Sequence, residues 1–233
     1  CDPFVDGSQY AGPILIANDG ASYLRYSSQD NAGNAQDTVS REVKIDKTGP
    51  TIEASISGDA GNDGWYISDV NVEFLCNDEL SGVSSCTEAV TLREEVPGQS
   101  ASGTAVDNAG NSEQAEASAI SIDKSPPTTT LEFDGPSSEN GDGAVSITPQ
   151  TYFILNAEDT ASGVSVTSYH IDGELPLEYE EEFILDAGEG VDEGWHTITY
   201  WSEDAAGNSG WEETLEFYLD QTAPSTESSL DDI

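Results

Sequence analysis

The chain is poor in positive charge. Lys and Arg together number 6 of 233 residues, against 46 Asp and Glu, for a formal net charge of −40. With so few cations it has almost nothing to neutralise phosphates, which excludes nucleic-acid binding, and anionic lipid surfaces repel it. It lacks any run of 18 apolar residues, so no transmembrane helix is expected. No apolar stretch opens the chain, so a signal peptide is either absent or already removed. Hydrophobic residues are only 36% of the total. Low hydrophobicity with high net charge can mean disorder. Here 4 Trp, 9 Tyr and 6 Phe sit inside alternating segments that can bury them, which argues against disorder for most of the chain. Only Ser225 to Ile233 reads as loose.

Catalytic signatures are also missing. The two histidines, His170 and His196, each sit in a strand pattern without a nearby Cys or Ser motif. There is no P-loop, no His-Glu-x-x-His and no Gly-x-Ser-x-Gly. Carboxylate pairs are too abundant among 46 acids for any one pair to point to a glycosidase. The chain is read as non-enzymatic.

What is present is a repeat. Asp-x-Ala-Gly-Asn occurs at Asp30–Asn34, Asp107–Asn111 and Asp204–Asn208. Each copy is followed by a strand that ends at an Asp before a Pro-containing linker: Asp46, Asp123 and Asp220. The offset from turn Asp to linker Asp is 16 residues in all three copies. A fixed offset marks one structural unit. The spacing between units varies, 77 residues from Asp46 to Asp123 and 97 from Asp123 to Asp220. A further motif occurs twice: Asn77-Asp78-Glu79-Leu80-Ser81-Gly82-Val83 matches Glu158-Asp159-Thr160-Ala161-Ser162-Gly163-Val164.

Period-two alternation runs through Val70, Val72, Phe74 and Cys76, through Phe153, Leu155 and Ala157, through Ile198 and Tyr200, and through Leu215, Phe217 and Leu219. That is the pattern of half-buried strands. Pro176 and Gly188 bound the helix formers of Glu178–Phe183, which are read as strand and loop. The expected fold is all-β, with tandem immunoglobulin-like β-sandwich domains arranged end to end. The expected division is the C-terminal part of one domain over 1–46, whole domains over 47–123 and 124–220, and a linker or start of a next unit over 221–233. On this reading the chain is cut from something longer.

The ordered set Gly64-Trp65-Tyr66, Val70-x-Val72-x-Phe74-x-Cys76-x-Asp78, Ser81-Gly82-Val83-x-x-Cys86, Gly103-Thr104-Ala105-x-Asp107-Asn108-Ala109-Gly110-Asn111 and Ile122-Asp123 resembles the tandem immunoglobulin-like repeats of bacterial and archaeal surface proteins, which are akin to hyalin repeats. Ser162-Gly163-Val164, Tyr169-His170-Ile171-Asp172-Gly173 and Tyr200-x-Ser202-x-Asp204-x-Ala206-Gly207-Asn208 look like a related variety. The resemblance implies an extracellular module of a long array, in adhesins, stalks, surface-layer proteins or secreted enzymes. It implies no single activity.

In such a sandwich the loop after the second strand, the last turn and the incoming linker share one pole. Asp46, Asp78, Glu79 and Asp107 are therefore expected to converge at one junction, and Asp123, Glu158, Asp159 and Asp204 at the other. Clustered carboxylates repel unless a cation or proton intervenes, and Ca²⁺, with six to eight oxygen ligands, suits them. The competing reading is local turn chemistry, with each Asp capping its own turn.

Cys76 and Cys86 flank the Ser-Gly turn and read as a structural disulfide of an oxidising compartment, against a metal or redox pair. Cys1 is odd: either its partner lies on the missing part of the first domain, or it is a lipid-modified N-terminus. The acidity reads as adaptation to high salt, or as a surface that gathers cations or a cationic partner. Two functions compete. One is a spacer, stalk or lattice module, partnered by neighbouring domains or copies of the same protein. The other is an adhesive or carbohydrate-binding module that uses Tyr179, Trp195, Trp201 and Trp211.

Overall fold

The computed structural model describes residues 9–139, 144–185 and 191–225. Cys1 and the 226–233 part of the tail lie outside the described residues. Every regular element described is a strand, and no helix among the described residues is long and apolar enough to cross a membrane. The chain divides into two compact units: 1–57, 71–91 and 100–118 form the first, and 58–70, 92–99 and 119–233 form the second.

The first unit opens with an antiparallel hairpin of β1 (Gly20–Tyr26) and β2 (Val39–Ile45). β3 (Thr51–Ser57) pairs antiparallel with β5 (Val70–Asn77), which neighbours β7 (Val90–Leu92). β6 (Val83–Cys86) and β8 (Gln99–Asp107) lie side by side in another sheet, next to β9 (Ser112–Ile122). Alternation decides what faces inward: Val72 and Phe74 of β5, Ala101 and Ala105 of β8 and Ala117 of β9 are buried. The two sheets meet closely enough that a Cβ on Gly103 would fall 2.5 Å from the Phe74 ring, so β8 carries glycine there. A disulfide joins Cys76 of β5 to Cys86 of β6.

In the second unit, β4 (Trp65–Tyr66) pairs in parallel with Ser121 and Ile122 at the end of β9. β10 (Thr128–Asp134) pairs antiparallel with β13 (Tyr152–Glu158). The larger sheet is ordered β11 (Ser137–Glu139), β12 (Val145–Ile147), β17 (Glu213–Leu219), β16 (Gly194–Asp204), β14 (Val164–Ile171) and β15 (Leu177–Glu178). β12 joins β17 in parallel, whereas the other neighbouring pairs of this sheet are antiparallel. A short early strand laid parallel to the last strand, with antiparallel neighbours elsewhere, is an immunoglobulin-like arrangement. Ile147, Phe153, Leu185, Ile198, Phe217 and Leu219 form the core between the sheets. Phe153 stacks on Phe183 and meets Phe133 and Phe217 edge-on. Fully burying one such aromatic or aliphatic side chain contributes about 1.5–3 kcal/mol. In the Glu178–Phe183 stretch, Glu178 ends the two-residue strand β15 and loop follows, with Phe183 bridging back to Phe153.

Candidate metal centres

The Asp-x-Ala-Gly-Asn turn closes in the same way three times. The Asn backbone N–H donates to one oxygen of the turn Asp at 2.8 Å in each copy: Asn34 to Asp30, Asn111 to Asp107 and Asn208 to Asp204. The Asn side-chain amide donates to the other oxygen at 2.7, 2.7 and 2.8 Å. Gly33, Gly110 and Gly207 take φ of 89°, 95° and 94°, the left-handed region where a Cβ is disfavoured.

A second loop presents the second carboxylate. Oδ1 of Asp78 accepts N–H bonds from Ser81 (2.9 Å) and Gly82 (2.6 Å). One oxygen of Asp159 accepts from Ala161 (2.9 Å) and Gly163 (2.7 Å). Directly after each loop the pairing with the next strand slips, between Val83 and Ser85 and between Val164 and Val166. Val83 and Val164 face Asp107 and Asp204 across these bulges. The extra residue bends the strand beside the turn carboxylate.

The third carboxylate comes from the linker. Asp46 accepts from Thr48 N–H at 3.0 Å through one oxygen and from Ser81 N–H at 3.0 Å through the other. Asp123 repeats this with Ser125 (3.2 Å) and Ser162 (2.9 Å).

The outcome is two groups, Asp46 with Asp78 and Asp107, and Asp123 with Asp159 and Asp204. In each group one carboxylate oxygen per residue lies within 4.8 Å of the others. Relative exposure is 2% for Asp107, 0% for Asp123 and 1% for Asp204, which is rare for carboxylates without compensation. None of the ion pairs among the described residues involves these six aspartates. Burial disfavours the charged form of Asp107, but bonds from Asn111, Gly110 and Ala109 outweigh it and hold the carboxyl below its ordinary value. Glu79 and Glu158, named with these aspartates on sequence grounds, lie outside both groups. Each is exposed beside an Asp that turns inward, and Glu158 ends β13 opposite Thr128.

Another recurrent set is missing from the sequence reading. The residue after each linker Asp donates its N–H to a carboxylate: Lys47 to Asp19 (3.1 Å), Lys124 to Glu95 (3.0 Å) and Gln221 to Glu193 (3.3 Å). Its side chain reaches the backbone carbonyl two residues before that acid, at Ala17, Arg93 (3.1 Å) and Val191 (2.9 Å). The available signal is spacing: these acids precede the linker Asp by 27, 28 and 27 residues. Among 46 acids such a signal does not stand out.

The aromatic candidates separate. Trp211 is 86% exposed and Trp195 58%, with Tyr218 edge-on to Trp195. Tyr179 is half-buried against Tyr169 and Phe183, and Trp201 is half-buried against His170.

No family model matches this chain, and no curated protein does. Among solved structures, it is similar to the fibronectin(III)-like modules of Clostridium thermocellum CbhA, at 15% identity and a TM-score of 0.30, covering 77% of this chain and 100% of that one. It is similar to a tetra-tandem repeat in the extending region of a large adhesion protein, at 17% identity and a TM-score of 0.38, covering 88% of this chain and 57% of that one. It is also similar to cadherin domains 1–5 of protocadherin gamma B2, at 14% identity and a TM-score of 0.33, covering 89% of this chain and 47% of that one. Likeness of this degree assigns no activity to the chain.

Proposed function

We propose that the chain is a non-catalytic structural module of an acidic extracellular cell-surface protein (a spacer, stalk or surface-layer array) whose two aspartate triads each take Ca²⁺. The observation that carries this reading is that one constellation of linker, loop and turn carboxylates is built twice from equivalent positions. The donor set fits a hard cation. It is all oxygen, with no Cys or His, which suits Ca²⁺ and not zinc. The backbone N–H bonds aim the carboxylates while leaving lone pairs on their oxygens. Within each unit, an ion bridging Asp46 to Asp78 and Asp107, or Asp123 to Asp159 and Asp204, would tie the linker to two loops and stiffen it. The Cys76–Cys86 disulfide supports an oxidising, extracellular setting. The surface charge serves a saline habitat in this reading, since salt screens carboxylate repulsion.

Calorimetric titration of the full chain with Ca²⁺, paired with thermal melting, tests the proposal. Two binding events and a melting temperature raised by several degrees are expected. Absence of both heat and stabilisation overturns the cation role. A fall in stability at low salt that millimolar Ca²⁺ does not restore assigns the acidity to salt adaptation instead.

The exposed rings of Trp195 and Trp211 favour a second reading, an adhesive module that stacks aromatic faces on sugars. Binding on a glycan array that is lost in Trp211→Ala supports it, and a blank array removes it.

A further inference from the structure

The Asp107 and Asp204 turns have the same internal bonds but different surroundings. Gly110 of the Asp107 turn has nothing within 4 Å of where a Cβ would stand. Its neighbours Asn108 and Ala109 line an open cleft of about 550 Å³, together with Gly20, Ala21 and Lys44. Within the second unit, Gly207 of the equivalent turn lies under Asn62, whose side-chain nitrogen is 2.7 Å from the position of a Cβ.

Asn62 belongs to a tight hairpin tip. Trp65 N–H donates to the Asn62 carbonyl at 2.9 Å, and Gly61 N–H to the Trp65 carbonyl at 2.8 Å. Asp63 and Gly64 between them take φ of 49° and 83°, the two positive values of a type I′ turn. The tip presents its next N–H outward, and Asn62 N donates to the carbonyl of Ala206 at 2.8 Å. Gly61 permits this approach, because a Cβ there would stand 2.4 Å from the same carbonyl oxygen. Ala206 and Gly207 are the two small residues of the Asp-x-Ala-Gly-Asn turn. The turn at 107–111 offers the same pair, Ala109 and Gly110, with no such tip against it among the described residues.

We infer that the Gly61–Trp65 tip is an interaction surface that recognises the Ala-Gly face of an Asp-x-Ala-Gly-Asn turn and locks the Asp204 turn in place, while the Asp107 turn stays unlocked. Asn62 is thereby a positioning residue for Asp204. It acts through the turn backbone, and the lock does not depend on any cation.

Residue-resolved hydrogen exchange of the full chain in a chelator tests this. The Gly207 and Asn208 amides are expected to exchange about tenfold more slowly than Gly110 and Asn111, since the Asn62 N–H bond docks on the Asp204 turn and has no counterpart at the Asp107 turn among the described residues. Gly61→Ala keeps an ordinary backbone conformation at 61 and places a methyl against the Ala206 carbonyl. It should speed exchange of Asn62, Gly207 and Asn208 about tenfold and leave Gly110 and Asn111 unchanged. General destabilisation would instead speed both turns. Equal protection of the two turns in the unsubstituted chain overturns the inference, whether or not the variant folds. So does a Gly61→Ala protein whose 204–208 turn is unaffected.

Discussion

Asn111 and Asp46 stand 65 residues apart in sequence, yet the Asn111 side-chain amide donates to the Asp46 carbonyl at 3.2 Å while also donating to its own Asp107 at 2.7 Å. Asn208 repeats both bonds, to the Asp123 carbonyl at 3.2 Å and to Asp204 at 2.8 Å. One amide thus pins the linker to the turn. Asn208→Ala removes both bonds and leaves a carbonyl and a carboxylate oxygen short of a donor. The expected loss is about 1–3 kcal/mol, read as a lower denaturant midpoint with unchanged slope. A neutral result would mean that the linker is held without this amide.

The two acids next to each other in the first loop separate cation binding from bulk charge. Asp78 points into the first triad, whereas the adjacent Glu79 is exposed outside it. Asp78→Asn should weaken calcium binding at one of the two proposed sites by about tenfold or more, because it removes the charge from an oxygen ligand. Glu79→Gln removes the same charge from the chain and should change affinity less than about twofold at moderate salt. Equal effects of the two substitutions would reduce the site to diffuse electrostatics.

Glu95 accepts the Lys124 N–H, and this bond, with contributions from Ser125 and the Lys124 charge, outweighs desolvation and holds its carboxyl below the ordinary value. Glu95→Ala should cost about 1 kcal/mol, a typical hydrogen-bond contribution. Because the folded pKa is depressed, the contribution is present above the unfolded value and is lost as pH falls through the folded one. Melting curves of the two proteins should therefore converge in acid. A constant difference down to low pH would assign the effect to packing.

His196 carries a pH signature of opposite sign. Nδ1 lies 2.6 Å from Asp172 Oδ2, and Nε2 lies 2.7 Å from the Asp192 carbonyl. Both partners are acceptors, so the two bonds are made together only when both ring nitrogens carry protons. Burial pushes the ring's pKa down, but the bonds to Asp172 and Asp192 and their charges outweigh it, leaving it above the ordinary 6.5. A raised folded pKa gives stability that is complete below the unfolded value and lost as pH rises through the folded one. The advantage of the unsubstituted chain over His196→Gln should therefore shrink from weakly acidic to alkaline pH. An advantage that grows with pH would show that the ring is held neutral.

Much of this architecture was readable from residue order alone. Alternation at Val70-Val72-Phe74 and Phe153-Leu155 marks strands because side chains on a pleated backbone alternate faces, and these residues are buried. The 16-residue offset between Asp107 and Asp123 marks a fixed hairpin, because turn chemistry and strand length are both local. Which acid of a neighbouring pair turns inward was not readable. Asp78 and Glu79, or Glu158 and Asp159, carry the same charge one position apart, and only the loop N–H groups decide between them, Ser81 and Gly82 capturing Asp78, and Ala161 and Gly163 capturing Asp159. The roles of Asp19, Glu95 and Glu193 depend on bonds spanning 28 or 29 residues, and the docking of Asn62 on Ala206 spans far more. Local sequence therefore determined the strands, the turns and the repeat, whose energetics lie within a few residues. Tertiary structure alone decided which carboxylates meet and which turn is covered, because those contacts depend on where distant loops close in space.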